Sequence, residues 1–423
     1  MKPVKLIFLC VLLTLAGCQQ GGQEIITSNG YTLKPGKPQA QGFSAERLAR
    51  IDSVMNEYVQ KKWIPGAVAL ISRHGKIVYQ KSFGMRDMEK ADPMQIDDLF
   101  RIASMSKCIT SVAVMMLYEE GKFLLDDPVY KYIPEFKDPV VLDKVNLKDS
   151  TFTAHPAKSQ ITIRQLLTHT SGIGYGIFNP NLKPLYDKAG IPDAFVLKND
   201  VLADKIKKLA KMPLVHEPGE AFTYGLSVDV LGYLVEVLSG KNLNAFLEER
   251  LFIPMGMKDT HFYLDDSQKD RLVKVYADTE NGLSPATEER YNFPVMGAKT
   301  YYSGGSGLVC TALDYAKFCT MLLHHGNYNG KQFLSRKTIE LMTENQAGKL
   351  NSFGLGFAII DQEASSKILG SPDSYYWAGI FSTTFLIDPE EDMVIVFFTQ
   401  RLPAYHWDIS QKMQVLAYQA LVD

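Results

Sequence analysis

Two stretches near the C-terminal end, FSTTFLID at 381–388 and DMVIVFFTQ at 392–400, are apolar at consecutive positions instead of alternate ones. Successive strand side chains point to opposite faces of a sheet, so a run without alternation needs cover on both faces. A chain carrying two such runs must pack helices against a sheet.

A third stretch, RIASMSKCITSVAVMMLYEEGK at 101–122, reads as a helix that begins near Ser104 and runs through Val112, Met115, Met116 and Leu117. Gly121 is a natural residue to follow its last turn. It is apolar nearly all round, which predicts a central, buried element and a rigid platform for whatever sits at its start.

Around this centre the pattern is helix, hairpin, helical section, helices and strands. Ser44 can cap a helix whose Leu48, Ile51, Met55, Tyr58 and Val59 share one face. After Pro65-Gly66, AVALISRHGKIVYQKSFG reads as a hairpin turning at His74-Gly75. From about Asp126 to Pro294, Pro and Gly clusters with few period-2 runs predict a mostly helical section. Thr311 followed by Asp314 suggests a capping box for a helix ending at Gly326, and Ser335 starts another. Strands return in FGLGFAII and SYYWAG, and a helix closes the chain from about His406. The expectation is an α+β fold, an antiparallel sheet flanked by helices. Its sheet part is drawn from about 43–120 and 295–423, with a helical insert at about 121–294.

The opening residues, MKPVKLIFLCVLLTLAGCQQ, place Lys2 and Lys5 ahead of an apolar run from Leu6 to Ala16. That run is too short to span a bilayer and suits a signal peptide over 1–17, hence export. Leu15-Ala16-Gly17-Cys18 resembles a bacterial lipobox, which implies a lipid on Cys18 and attachment to a membrane of the cell envelope, by default the outer membrane facing the periplasm. Residues 18–42, rich in Gly, Gln and Pro, are expected to form a flexible tether, with the folded domain spanning 43–423.

With 45 basic and 47 acidic residues and no long run of either sign, a nucleic-acid partner is not expected. Of five cysteines, Cys10 leaves with the signal and Cys18 carries the lipid, so Cys108, Cys310 and Cys319 remain, too few and too unpatterned for a disulfide scaffold.

The chemistry starts at Ser104 and Lys107. Positions i and i+3 of a helix lie on one face about a turn apart, so the amine can reach the hydroxyl. A neutral amine can take the serine proton, and the positive end of a helix favours the charge that develops there. S-x-x-K also arises by chance, so the context decides.

That context is a series of blocks in order: FRIASMSKCITSVAVMMLYEEGKFLLDDPVYKYIPEF, ITIRQLLTHTSGIG, PGEAFTYGLSVDVLGYLVEVLSG, GGSGLVCTALDYAKFCTMLL and YYWAGIFSTTFLIDPEEDMVIVFFTQ. Together they resemble the serine β-lactamase-like hydrolases of the class C type, which include D,D-peptidases, cephalosporinases and esterases. The resemblance covers nearly all of 43–423 and implies a β-lactamase/transpeptidase-like fold and an acyl-enzyme at Ser104.

It also implies that Tyr224 is the tyrosine of the family's Y-x-N motif, with its phenol between Ser104 and Lys107. A phenol serves as a base only if its anion is stabilised, which a nearby lysine cation can do. The asparagine is replaced by Leu226, which removes an amide that would hold a lactam side chain. In place of K-T-G or H-x-G stands Trp377-Ala378-Gly379, similar to the W-x-G of family esterases. An apolar ring replaces a cation or donor for a substrate carboxylate, so a neutral or apolar acyl group suits the site. Substrate binding is therefore expected at Leu226, Trp377, Ala378 and Gly379. The resemblance implies an oxyanion hole from the backbone amides of Ser104 and Ile380.

Other candidates weigh less. His324 and His325 point about 100° apart on a helix and chelate poorly, and His216-Glu217 lacks the H-E-x-x-H spacing, so no metal is expected, nor any cofactor. His169 is expected to serve a structural hydrogen bond. SGGSGL around Ser306 matches G-x-S-x-G only loosely, because Leu308 takes the place of the second glycine. The resulting expectation is an exported serine hydrolase of small carboxylic esters or amides. The competing readings are a D-amino-acid peptidase on cell-wall peptides or a weak β-lactamase, and a non-catalytic binding protein on the same fold.

Overall fold

A computed structural model describes residues 31–280 and 282–423. The signal peptide over 1–17 and Cys18 lie outside these residues. A mixed eight-stranded sheet forms the body. Its strands are β1 (Lys34–Pro35), β2 (Gly66–Arg73), β3 (Lys76–Asp87), β4 (Ala358–Ile359), β5 (Tyr375–Gly379), β6 (Thr383–Asp388) and β7 (Met393–Phe398), in the order β1-β3-β2-β7-β6-β5-β4, with Asp92–Pro93 also on β3.

The runs that demanded cover on both faces receive it. In β7 and β2 the side chains of Ile395, Phe397, Ala67, Ala69 and Ile71 join one core, and those of Val394, Val396, Phe398, Val68 and Leu70 join the other. The first core is closed by α1 (Ala45–Gln60) through Leu48, Ile51, Met55 and Tyr58. The second is filled by α2 (Ser106–Glu119), α3 (Ser227–Ser239) and α4 (Ala312–Leu323). The closing helix, α5 (Asp408–Tyr418), packs beside α1 through Ile409, Met413 and Ala417.

Local chemistry sets the boundaries. Ser44 Oγ accepts from Arg47 N at 3.2 Å and opens α1. The hairpin turns where expected, with His74 and Gly75 both at positive φ. Every residue of α2 from Ser106 to Leu117 is buried. At about 1.5–3 kcal/mol for each large apolar side chain, that burial fixes the helix more firmly than any single hydrogen bond. Cys108, Cys310 and Cys319 are free thiols in the core.

Four expectations change. The sheet is mixed instead of antiparallel, because β1 enters parallel to β3. The tether does not extend through residue 42: Gly36 N donates to Ile77 O, and residues 38–41 form a 3-10 turn beside the sheet. The insert is not uniformly helical, since it holds hairpins at Val140–Asn146 with Thr151–Pro156 and at Tyr276–Thr279 with Gly282–Pro285. Thr151–Pro156 is largely exposed, so it carries no apolar alternation to betray a strand. Finally, Thr311 caps α4, but the Asp314 carboxylate turns away to Asp259 N and Lys317 Nζ, so the capping box is only half formed and the helix stops at Leu323.

Candidate active site

The chain leaves Phe100–Arg101 and makes one 3-10 turn, Ala103–Met105, before α2 begins at Ser106. Ser104 thus sits on the turn ahead of the helix. Ala103 takes φ 44, a left-handed conformation that costs an alanine about 1 kcal/mol. Burial of Ala103 against Val275, Tyr291 and Phe381 holds that conformation in place.

Lys107, the second residue of α2 and about one turn on from Ser104, is 2% exposed. Its Nζ lies 3.4 Å from Ser104 Oγ, 2.9 Å from Tyr175 Oη and 2.7 Å from Gly305 O. These three partners match the three N–H donors of an ammonium. The same set also suits a neutral amine, because the tyrosine or serine hydroxyl can turn and donate to its lone pair.

Tyr224 is brought to the site from the segment ahead of α3. Its ring centre is 4.7 Å from Lys107 Nζ, and its phenol oxygen is buried without a hydrogen-bond partner. The expected hydrogen bond between Tyr224 and Lys107 is absent, and Tyr175 takes that place. Tyr175 went unnoticed in the sequence. It stands one residue beyond ITIRQLLTHTSGIG, a block that carries the resemblance, and no spacing ties it to Lys107. Burial, and then the neighbouring Tyr224 and Asp229, push the Tyr175 phenol well above its ordinary pKa.

Strand β5 faces the serine. A Cβ on Gly379 would stand 2.3 Å from Ile102 O and 2.3 Å from Thr383 Oγ1, so only glycine lets the strand come this close to the nucleophile turn. Ser104, Tyr224, Trp377, Ala378, Gly379 and Ile380 all line one cavity of about 500 Å³. Leu226 does not: it is 2% exposed at the start of α3 and packs in the core, so it is no substrate contact in this arrangement. Replacing asparagine with leucine has turned a position with an amide to offer into a core residue.

The rest of the wall is mostly apolar and includes Ile177, Phe178, Phe195, Leu402 and Trp407. Among the described residues the charged members of the lining are Asp193 and Arg290, and both are engaged. Asp193 accepts from Gly176 N at 2.7 Å and Ile177 N at 2.9 Å, and Arg290 pairs with Glu288 at 2.9 Å.

His169 lies beneath Tyr224, ring centres 4.9 Å apart, and its Nδ1 is buried with no partner. The structural hydrogen bond expected of it is not made at that nitrogen. Burial, helped by the Lys107 charge, pushes its pKa well below the ordinary value, so the ring is neutral. Ser306 reaches the cavity, but its hydroxyl partner is Ser303 at 3.0 Å and not a base. His216 bonds Glu217 O and Thr223 Oγ1.

A hydroxyl, an amine and two phenols beside an apolar cavity are groups with which acyl transfer can be carried out. Comparison with known proteins agrees. Protein Rv1367c of Mycobacterium tuberculosis is 32% identical over 366 residues, covering 80% of this chain and 86% of that protein. Esterase EstB of Burkholderia gladioli is 28% identical over 377 residues, covering 84% and 91%. The solved structure of EstCE1, described as a hydrolase with promiscuous acyltransferase activity, superposes with a TM-score of 0.76 at 27% identity, covering 88% of this chain and 99% of that one. The Beta-lactamase family model matches residues 51–418, and the chain belongs to that family as a serine hydrolase.

Proposed function

We propose that this chain hydrolyses carboxylic esters or small amides with a neutral, apolar acyl group, through an acyl-enzyme at Ser104. The observation that carries the reading is the cavity around Ser104, where Trp377 stands on β5 and, among the described residues, the lining cation is Arg290, which is paired with Glu288. EstB is named an esterase and EstCE1 a hydrolase, which supports the same side.

In this reading Ser104 Oγ attacks the carbonyl carbon while Lys107 and Tyr224 share the departing proton. The oxyanion is held by the amides of Ser104 and Ile380, an arrangement that commonly contributes several kcal/mol. Collapse expels the alcohol or amine, which takes up the proton. Water then attacks the acyl-enzyme and regenerates the serine.

The test is turnover of a p-nitrophenyl acyl ester series beside a chromogenic cephalosporin. Faster cleavage of the cephalosporin would replace this reading with a lactam-directed one. Fluorophosphonate labelling that persists unchanged in Ser104→Ala would remove Ser104 as the nucleophile.

We also propose that the protein is exported and anchored by a lipid on Cys18 in the bacterial cell envelope, facing the periplasm from the outer membrane. Support comes from Lys2, Lys5, the apolar run Leu6 to Ala16 and the sequence Leu15-Ala16-Gly17-Cys18. Membrane fractionation of wild type against Cys18→Ala tests it: a variant that stays in the membrane fraction sinks the anchor.

A further inference from the structure

Asp229 sits in the first turn of α3 and is 1% exposed. One carboxylate oxygen accepts from Ser303 Oγ at 2.6 Å and from Gly305 N at 3.3 Å, and the other has no hydrogen-bond partner. A buried, half-satisfied carboxylate costs stability, so its presence calls for a return elsewhere. The return lies one residue away, because the carbonyl of the same Gly305 accepts from Lys107 Nζ at 2.7 Å.

Gly305 therefore joins the carboxylate to the catalytic amine by its two backbone groups. A side chain at this position would have to displace the carboxylate. A Cβ on Gly305 would stand 2.5 Å from Asp229 Oδ2 and 3.2 Å from Tyr175 Oη. Asp229, Gly305, Tyr175 and Lys107 thus form one contiguous group behind Ser104, of which Tyr175 reaches the cavity wall while Asp229, Gly305 and Lys107 do not line it.

We propose that Asp229 is a positioning residue for Lys107: through Ser303 and Gly305 it seats the carbonyl that holds the amine, and its charge biases the protons shared by Lys107, Tyr175 and Tyr224. This rests on Ser104 and Lys107 acting as proposed above. The charged and titratable groups that share Asp229's surroundings are Lys107 from α2, Tyr175, Tyr224, Tyr301, Asp193 and, behind Tyr224, His169. Lys107 is the cation of the set. Burial pushes the Asp229 carboxyl up, while the Ser303 hydroxyl, the Lys107 charge and the Gly305 amide pull it back.

The sign of the effect follows. A negative charge favours the ammonium over the amine and disfavours a phenolate. Replacing it with a neutral amide lets the base form at lower pH, whether the base is Lys107 or Tyr224. The acidic limb of Ser104 reactivity should therefore move down.

The experiment measures the second-order rate of fluorophosphonate labelling against pH for the full chain, in wild type, Asp229→Asn and Ser303→Ala. Asp229→Asn is expected to shift the acidic limb down by about half a unit or more and to slow the plateau roughly tenfold. Ser303→Ala keeps the carboxylate but removes its best donor, so the charge is less spread and the limb should move up, by less than Asp229→Asn moves it down. If Asp229→Asn fails to fold, Ser303→Ala decides. A slower plateau with the limb unmoved, or profiles that superimpose on wild type, overturn the proposal. A wild type that does not label at all would instead overturn the role of Ser104, and this inference with it.

Discussion

Lys107 donates to the phenol of Tyr175 at 2.9 Å, while the phenol of Tyr224, whose ring lies against the same amine, bonds to nothing. The two tyrosines stand differently: one bonds the amine, and the other keeps a buried oxygen with no hydrogen-bond partner beside it. Tyr224→Phe should then reduce kcat roughly 10²–10⁴-fold on a p-nitrophenyl ester, the usual range for a lost general acid or base. Tyr175→Phe should cost about tenfold. Steady-state kinetics of the pair check this, and a larger loss in Tyr175→Phe would exchange the roles.

Trp377 lines the cavity at the position where a cation or donor would have met a substrate carboxylate. In the proposed reading its contact with an apolar acyl group would be the same in ground and transition states. Trp377→Ala should therefore raise KM about tenfold and leave kcat nearly unchanged. A fall in kcat with KM constant would mean that the ring acts on the reaction itself.

Three residues before Ser104, Arg101 is buried and donates to Phe293 O, Val273 O and Tyr291 O, at 2.6, 2.9 and 2.6 Å. It ties the nucleophile turn to the segment that carries Arg290. Arg101→Leu strands three buried carbonyls, at about 1–3 kcal/mol each. A destabilisation of roughly 3 kcal/mol or more is expected in urea unfolding, and a loss below about 1 kcal/mol would refute the tie.

His169 gives the stability a pH dependence of known sign. Its ring resists protonation in the fold, whereas the unfolded chain takes up a proton near the ordinary pKa of 6.5. The unfolded state then binds more protons, so stability falls as pH drops below about 6.5, by up to about 1.4 kcal/mol per pH unit. In His169→Asn this part of the slope should vanish. Urea midpoints for both proteins across the acid range check it, and parallel lines would refute it.

The sequence was legible where a residue's neighbours in the chain are also its neighbours in space. The cap at Ser44, the turn at His74-Gly75, the Ser104–Lys107 pair and the runs that became β6 and β7 are all of that kind. Tyr175, Asp229 and Gly305 were missed because Tyr175 and Gly305 meet Lys107, and Asp229 meets Gly305, from different parts of the chain, and no local period encodes such a meeting. The FGLGFAII stretch promised a full strand, yet only Ala358–Ile359 pair, because Gly356 at φ 99 bends the chain just ahead of them.

The strand order has a consequence for how the protein can be held. β1 and β5 are separated by five strand spacings, so Lys34 and Gly379 lie on opposite flanks, about 24 Å apart across the sheet. Any leash attached upstream of residue 31 would pull on the flank away from the cavity mouth.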